Sequence, residues 1–265
     1  MHELLWRHAA RSDLGRVRAT NEDALLANER GGFFVIADGM GGHAAGEVAS
    51  GLAVSVLARR LAALRADASQ SEVRERLRSA LSEANRTIRE RASESPRLAG
   101  MGTTATALVL LRPGAYVVGH VGDSRAYLRQ RDDLVRITED HTYVQDLVDR
   151  GILTPEQARL DPRSSLLTRA LGIDASVEIA LYQGRVEGGQ RFLLCSDGLS
   201  GALPHDLLAR LACDTAEPGE TADRLVDAAN RAGGADNISV IVVDVWAEAT
   251  NGDSRRHGGD AASAQ

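Results

Sequence analysis

The sequence predicts an α+β fold built in layers. Three observations indicate it: aliphatic segments of strand length recur along the chain, two long amphipathic segments follow one another directly, and strands and helices do not alternate strictly. The 265 residues suffice for one large domain, and 43% hydrophobic residues allow a substantial core. Because aromatic residues make up only 3% of the chain, this core must be aliphatic.

The N-terminal part contains three predicted strands and two predicted helices. The strands are residues 4–10, 23–28 and 32–38. Residues 46–64 carry apolar side chains at helical spacing, which predicts an amphipathic helix. Residues 71–92 show the same spacing with charged residues between the apolar positions, so we expect a second helix with one solvated face.

The middle of the chain changes to strand periodicity. Three strands are predicted, at 103–111, 115–121 and 125–130. Short turns join them, so an antiparallel meander is the simplest pairing. Residues 139–175 lack a clear strand, and they contain a predicted helix at 142–150 and a helix N-cap at Thr154 before Pro155.

The C-terminal part returns to mixed strands and helices. Strands are predicted at 176–183, 191–197 and 237–246, and helices at 204–212 and 219–232. The remaining residues, 247–265, are small and polar, and we expect them to be disordered. The sequence therefore predicts one domain over residues 1–246 with a short tail.

Composition excludes several classes of function. All 31 basic residues are arginine, so a phosphate loop or a Schiff-base enzyme, which needs lysine, is excluded. A net charge of -6 argues against nucleic acid as the main partner. No signal peptide and no run of about 18 apolar residues is visible, so we expect a cytoplasmic protein that does not bind membranes.

Four aspartates stand beside apolar strands: Asp38, Asp123, Asp197 and Asp236. Each one alone is typical of a turn or a helix cap. Strand ends can converge at one edge of a fold, and converging carboxylates need a cation to stay ionised. An all-oxygen set suits Mg²⁺ or Mn²⁺, and Glu22 adds a further acid at a loop–strand junction.

Other phosphate chemistries fail on inspection. A cysteine-dependent phosphatase needs an arginine six residues after its nucleophile, but Gly201 and Gly219 stand at those positions after Cys195 and Cys213. Met40 stands where an aspartyl nucleophile of the D-x-D type needs its second acid. No H-E-x-x-H zinc motif occurs, and the scattered histidines are interpreted as structural, among them His43, His120 and His141.

Eight segments in order resemble the metal-dependent serine/threonine protein phosphatases of the PPM, or type 2C, family, in particular its stand-alone bacterial members. They are "SDLGRVRATNEDA", "DGMGGHAAGEVAS", "MGTTATALVL", "HVGDSRAYL", "EDHTYVQDLVDRGILT", "LTRALG", "LLCSDGLSG" and "GGADNISVIVV". The resemblance runs from about Ser12 to Asp244. It implies a four-layer αββα sandwich, in which helix pairs flank two antiparallel sheets and a metal site lies at one end.

The resemblance also implies a ligand set for two tightly bound Mn²⁺ or Mg²⁺ ions and a third, weaker one. Asp38 would bridge two ions, and the Gly39 carbonyl would bind one of them. The first ion would be held by Asp197 and Asp236. Glu22 would assist the second ion through water. The third ion would be held by Asp123 together with Asp197.

Activity is implied in the same way. Arg18 would bind the substrate phosphate, Asp23 and Asn237 would support the metal ligands, and residues 142–175 would form a flap beside the site. A hydroxide shared by the two cations would attack phosphorus in phosphoserine or phosphothreonine. We expect phosphoprotein substrates, a cognate Ser/Thr kinase whose action the enzyme reverses, and a monomer.

Two positions depart from the family pattern. Met40 stands where eukaryotic members carry a histidine proposed as general acid, so the resemblance does not identify the acid. Asp161 stands where bacterial relatives often carry a histidine before the flap proline. The alternative function from another class is a non-catalytic pseudophosphatase, a scaffold or sensor of the same fold.

Overall fold

A computed structural model describes residues 4–41, 45–65, 67–112 and 114–247. The strands are β1 (Leu4–Asp13), β2 (Asp23–Asn28), β3 (Phe33–Met40), β4 (Gly102–Thr103), β5 (Ala105–Leu111), β6 (Ala115–Val121), β7 (Arg125–Gln130), β8 (Asp133–Arg136), β9 (Ala180–Arg185), β10 (Arg191–Cys195) and β11 (Ile238–Ala247). The α-helices are α1 (Ala45–Leu61), α2 (Gln70–Ser93), α3 (Tyr143–Asp149), α4 (Pro155–Leu160), α5 (Asp197–Ser200), α6 (His205–Ala212) and α7 (Pro218–Arg231), with a 3₁₀ turn at Pro96–Leu98. No described helix is long and apolar enough to cross a membrane.

Two antiparallel sheets form the centre of the molecule. One has the strand order β1-β11-β10-β7-β8, and the other has the order β2-β3-β5-β6-β9, with β4 paired to the end of β3. Helices α1 and α2 pack on the second sheet, and α6 and α7 pack on the first. The predicted four-layer αββα sandwich is therefore confirmed.

Strand β3 shows how the sandwich is filled. Phe34 and Ile36 point into the apolar layer between the sheets, while Phe33 and Val35 point toward helices α1 and α2. Both faces of the strand are buried, which explains why its sequence reads as a continuous apolar run instead of an alternating one. The strand carries this run directly to Asp38.

The predicted three-strand meander is wrong in its third strand. Strands β5 and β6 pair as expected, but β7 pairs with β10 and β8 in the other sheet. The chain leaves β6 through Gly122, whose φ of 105° is open mainly to glycine. The turn therefore carries the chain across the sandwich instead of back along β6.

Smaller differences concern element boundaries. Strand 103–111 is interrupted at Thr104, the strand predicted from 176 begins at Ala180, and β8 was not predicted. Helix α4 begins as expected, with Thr154 and Gln157 forming a reciprocal capping box. The predictions for His43 and residues 248–265 lie outside the described residues.

The segment between β8 and β9 carries α3 and α4 and covers the predicted flap. It is tied to the sandwich at its base, where Thr103 and Leu171 exchange backbone hydrogen bonds of 3.0 and 2.9 Å. The buried Asn85 of α2 also accepts the Gly172 N–H at 2.7 Å and donates to the Asp174 carbonyl at 3.0 Å. These hydrogen bonds anchor the C-terminal end of the segment predicted to form the flap.

Candidate active site

Five strand ends meet at one edge of the sandwich and bring the predicted acidic residues together. Asp23 opens β2 and lies opposite Asp38 of β3 in the strand register. The other three acids follow β6, follow β10 and precede β11: Asp123, Asp197 and Asp236. The structure therefore gathers the strand-end aspartates named from the sequence at one place.

The backbone of Asp38 is held by two threonines. Its N–H donates to the Thr104 hydroxyl at 2.9 Å, and its carbonyl accepts from the Thr103 hydroxyl at 2.8 Å and the Thr104 N–H at 2.9 Å. These bonds explain the interruption between β4 and β5, because Thr104 turns toward Asp38 instead of continuing the strand pairing. Neither threonine was predicted as a site residue, although both belong to the segment "MGTTATALVL" that resembles the family.

Gly39 allows the start of α1 to approach the end of β3 very closely. A Cβ at Gly39 would lie 2.1 Å from the Gly46 carbonyl oxygen, and a Cβ at Gly46 would lie 2.9 Å from a carboxylate oxygen of Glu22. The Glu22 carboxylate therefore lies close to the first turn of α1, a position that favours an anion. The Glu22 carbonyl accepts the Gly39 N–H at 3.1 Å.

Asn237 joins the loop before β2 to the segment between Asp236 and the start of β11. Its side-chain oxygen accepts the Glu22 N–H at 2.8 Å, and its amide nitrogen donates to the carbonyls of Leu14 and Thr20, both at 3.0 Å. This loop carries Arg18, whose guanidinium donates to Asp236 Oδ2 at 2.7 Å and remains about half exposed, at 50%. The phosphate-binding candidate therefore lies at the solvent edge of the acidic cluster.

Ser196 connects the end of β10 to the starts of β2 and β11. Its hydroxyl donates to Asp23 Oδ2 at 2.9 Å, and it accepts the Ser239 N–H at 3.0 Å. The next residue, Asp197, opens the short helix α5. Ser196, which was not named from the sequence, thus fixes the carboxylate of Asp23. The supporting role of Asp23 toward the metal ligands stays a prediction.

The electrostatics of the cluster indicate a site that requires positive charge. Burial, then the charges of Asp197 and Asp23, hold the pKa of Asp38 well above its usual range. Burial, then Asp197, does the same for the pKa of Asp123, and burial raises the pKa of Asp23 to about 7. The side chain of Asp197 is also within hydrogen-bonding reach of Asp38, which raises the pKa of Asp38 further.

The chemistry of these residues fits a divalent cation, although their side chains are not arranged around a common centre. No three His, Cys, Asp or Glu side chains in residues 4–41, 45–65, 67–112 and 114–247 are arranged to hold a metal ion as they stand. The Arg18 guanidinium is hydrogen bonded to Asp236, and the pKa of Asp38 is raised by burial and by the charge of Asp197. One oxygen each of Asp23 and Asp197 is buried without a hydrogen-bond partner among the described residues. Unpartnered carboxylate oxygens beside carboxyls forced to hold protons are what a hard cation would satisfy.

We expect Mn²⁺ to raise the melting temperature more at about pH 7.5 than at about pH 5.5. The acidic cluster has raised pKa values, so its contribution to stability is full at low pH and is lost as pH rises through values such as about 7 for Asp23. A cation replaces the protons, so its stabilising effect grows as they leave. The measurement is thermal unfolding with Mn²⁺ and with EDTA at both pH values, and an equal gain at both would contradict this prediction.

The two positions that depart from the family pattern take up structural contacts. Met40 lies against Gly102, where a Cβ would come within 2.7 Å of its methyl group. Asp161 forms a two-point ion pair with Arg163, with distances of 2.9 and 2.8 Å, and Arg163 also stacks over Tyr143. Asp161 therefore organises the turn after α4.

Comparison with known proteins now decides the family. A sequence profile of the family described as Protein phosphatase 2C matches residues 16–230. This chain belongs to that family. The protein phosphatase 2C assignment confirms the resemblance seen in the sequence.

Relatives agree with this assignment. The chain is 44% identical over 242 residues to the serine/threonine protein phosphatase PstP of Mycobacterium tuberculosis, covering 91% of this chain and 45% of PstP. It is 36% identical to the serine/threonine phosphatase stp of Listeria innocua, covering 88% of this chain and 94% of that protein. It thus spans about half the length of the PstP relative and nearly all of stp.

A solved structure supports both fold and cofactor class. The crystal structure of the PstP catalytic domain in complex with two manganese ions superimposes with a TM-score of 0.80 at 40% identity, covering 92% of this chain and 99% of that one. A protein phosphatase 2C member with this fold therefore binds manganese. This agrees with the cation that the acidic cluster of the present chain requires.

Proposed function

We propose that this chain is a Mn²⁺- or Mg²⁺-dependent phosphatase that hydrolyses phosphoserine and phosphothreonine in proteins. One observation carries the proposal: aspartates whose pKa values are raised by burial and by one another lie close to a half-exposed arginine, Arg18. The acids call for cations and the arginine offers a phosphate contact. The relatives that cover most of the chain bear the name of this activity.

The residues that would hold the cations are those at the strand ends: Asp38, Gly39, Asp197, Asp236, Glu22 and Asp123. Bound divalent cations supply an activated water as nucleophile and neutralise charge on the phosphoryl group. The chain itself contributes the fixed Asp38 backbone, set by its threonine partners, and the supporting contacts from Asp23 and Asn237.

Arg18 would bind and orient the substrate phosphate. Among the described residues its guanidinium makes one hydrogen bond, to Asp236, so further N–H donors face solvent at the mouth of the site. Bidentate geometry matches two phosphate oxygens and would place phosphorus at the edge of the acidic cluster. This contact also stabilises negative charge that develops during transfer.

We infer that the substrates are cytoplasmic phosphoproteins, including targets of a Ser/Thr kinase that the enzyme opposes. The support is the activity named for the bacterial relatives. A monomeric state stays a prediction. None of the described contacts favours the alternative of a non-catalytic scaffold, since all four strand-end aspartates are in place.

Metal removal tests the proposal. We expect hydrolysis of p-nitrophenyl phosphate and of a phosphothreonine peptide with Mn²⁺, and loss of at least about 100-fold of this activity with EDTA, because the cations supply several kcal/mol of transition-state stabilisation. Adding Mn²⁺ back should restore turnover. Activity that survives EDTA would contradict the metal-dependent mechanism, and silence with every metal tested would instead support the pseudophosphatase.

A further inference from the structure

His141 lies where the flap joins the sandwich, and it grips the turn that carries Asp123. Its N–H donates to the Gly122 carbonyl at 2.8 Å, and its ring Nδ1 accepts the Gly122 N–H at 3.0 Å. Both polar groups of the Gly122 backbone are thus bound by one buried residue, which is 8% exposed. Asp123 is the next residue in the chain.

The Nδ1 contact sets the state of the ring. Since Nδ1 accepts a hydrogen bond, it carries no proton, and the proton of the neutral ring sits on Nε2. Arg169 lies 3.2 Å from Nε2. Because a guanidinium can only donate and Nε2 already carries a proton in this tautomer, the contact is not a hydrogen bond. The charge of Arg169 is balanced by Glu178 at 2.8 Å. The bond that matters for His141 is therefore the one to Gly122.

The Gly122 turn needs this support. Its φ of 105° and its contact with Thr104, where a Cβ would come within 2.6 Å, leave it little freedom to relax. The turn places Asp123 in the same cavity as Asp197, and the two like charges repel. A turn that holds two carboxylates together must be fixed from the other side.

The same residue connects the turn to the flap. The His141 carbonyl accepts the Thr168 N–H at 2.8 Å, and the neighbouring Thr142 pairs with Leu167 in an isolated bridge. A displacement of the flap base would therefore reach Asp123 through a single residue.

We propose that His141 is a positioning residue that holds Asp123 beside Asp197 and thereby sets cation binding at Asp123. The proposal rests on the proposed function, since it concerns a cation of the same site. It gives a role to a histidine that the sequence alone suggested was only structural.

Two substitutions separate the ring acceptor from the bulk of the ring. His141→Asn places an amide oxygen at the position of Nδ1, and His141→Phe keeps a ring without an acceptor. Mn²⁺ titration by calorimetry and by the EPR signal of free Mn²⁺ measures the tight ions and the weaker, Asp123-dependent ion separately. We expect His141→Phe to weaken the weaker class by about 10- to 100-fold, with the tight class unchanged, because supporting partners of metal ligands have effects of this size.

His141→Asn should keep the weaker class within about threefold of wild type, because its amide oxygen can accept the Gly122 N–H. Arg169→Gln is the matched control, since it removes the contact on the other ring nitrogen, and it should leave Mn²⁺ binding unchanged. If His141→Phe does not fold, His141→Gln replaces it: its amide reaches the Nε2 position and should behave like Phe. Thermal unfolding of each variant identifies those that fold.

The kcat of a double variant distinguishes an effect through Asp123 from a general structural effect. Asp123→Ala and Asp123→Ala/His141→Phe should have the same kcat, because His141 acts through Asp123. Wild-type Mn²⁺ binding in His141→Phe, or additive losses in the double variant, would overturn the proposal while leaving the phosphatase function intact. A wild-type protein that neither binds Mn²⁺ nor hydrolyses phosphopeptides would overturn the proposed function itself.

Discussion

Asp38→Asn should lower kcat/KM for a phosphothreonine peptide by about 1,000-fold or more, equivalent to about 4 kcal/mol of activation free energy. The carboxyl lies at the centre of the acidic cluster, where burial and neighbouring aspartates hold its pKa well above its usual range. Asparagine keeps the shape but removes the negative charge that a bridging ligand supplies. Steady-state kinetics at saturating Mn²⁺ measures the loss.

The stability of the same variant makes the interpretation decisive. Without metal, Asp38→Asn removes a desolvated carboxyl that repels Asp197 and Asp23, so the EDTA-treated variant should melt no lower than wild type. Mn²⁺ should then stabilise the variant much less than it stabilises wild type.

Asp223→Asn is the matched control. It makes the same chemical change in an exposed ion pair between Arg11 of β1 and Asp223 of α7, and it should leave turnover unchanged. Full activity in Asp38→Asn would show that Asp38 is not an essential metal ligand. An Asp38→Asn protein that is inactive only because it unfolds would contradict the expected melting behaviour.

The strand-end acids could be predicted because their signal is local. An apolar run that ends in Asp-Gly marks both a strand end and a candidate ligand, as at Asp38 and Asp197. Their convergence is a property of the sandwich, and it followed once the family resemblance supplied the order of the layers. The helix start at Thr154 was predictable for the same reason, since capping depends on neighbouring residues.

The partners of Thr104 and Asn85 do not follow from local sequence patterns, because these contacts join residues far apart in the chain. Thr104 binds Asp38 across 66 positions, and Asn85 binds the flap base across 87 positions. The crossing of β7 to the other sheet was missed for a related reason. A short turn between two strands is compatible with a hairpin, and only the positive φ of Gly122 and the pairing partners of β7 show otherwise.

Arg191 also makes contacts with residues far away in the sequence, and it links the first sheet to the connection between α6 and α7. It is 3% exposed and lies in β10, the strand that leads to Asp197. Its guanidinium makes a two-point ion pair with Asp244 of β11 at 2.5 and 2.9 Å. It also donates to Thr221 and to three carbonyls in the α6–α7 connection, those of Ala212, Asp214 and Ala216.

Arg191→Leu should therefore lower the free energy of unfolding by about 3–5 kcal/mol. Leucine supplies apolar volume, but it leaves the Asp244 carboxylate without its close partner and the loop carbonyls without donors. The one other cation near Asp244 is Arg7 among the described residues, at 3.7 Å and half exposed, so it cannot replace a buried two-point contact. Urea unfolding followed by circular dichroism measures the change.

Two further variants distinguish this role from a general effect of surface charge. Arg224→Leu removes an arginine of α7 whose partners Asp214 and Glu220 are exposed, and it should cost less than about 1 kcal/mol. Arg191→Leu/Asp244→Asn should recover part of the loss, since the stranded charge is removed with its partner. A cost for Arg191→Leu no larger than that of Arg224→Leu would show that the α6–α7 connection holds its shape without the arginine. The connection would then depend on the apolar contacts of α7 with β11, and those contacts alone would support the strands that carry Asp197 and Asp236.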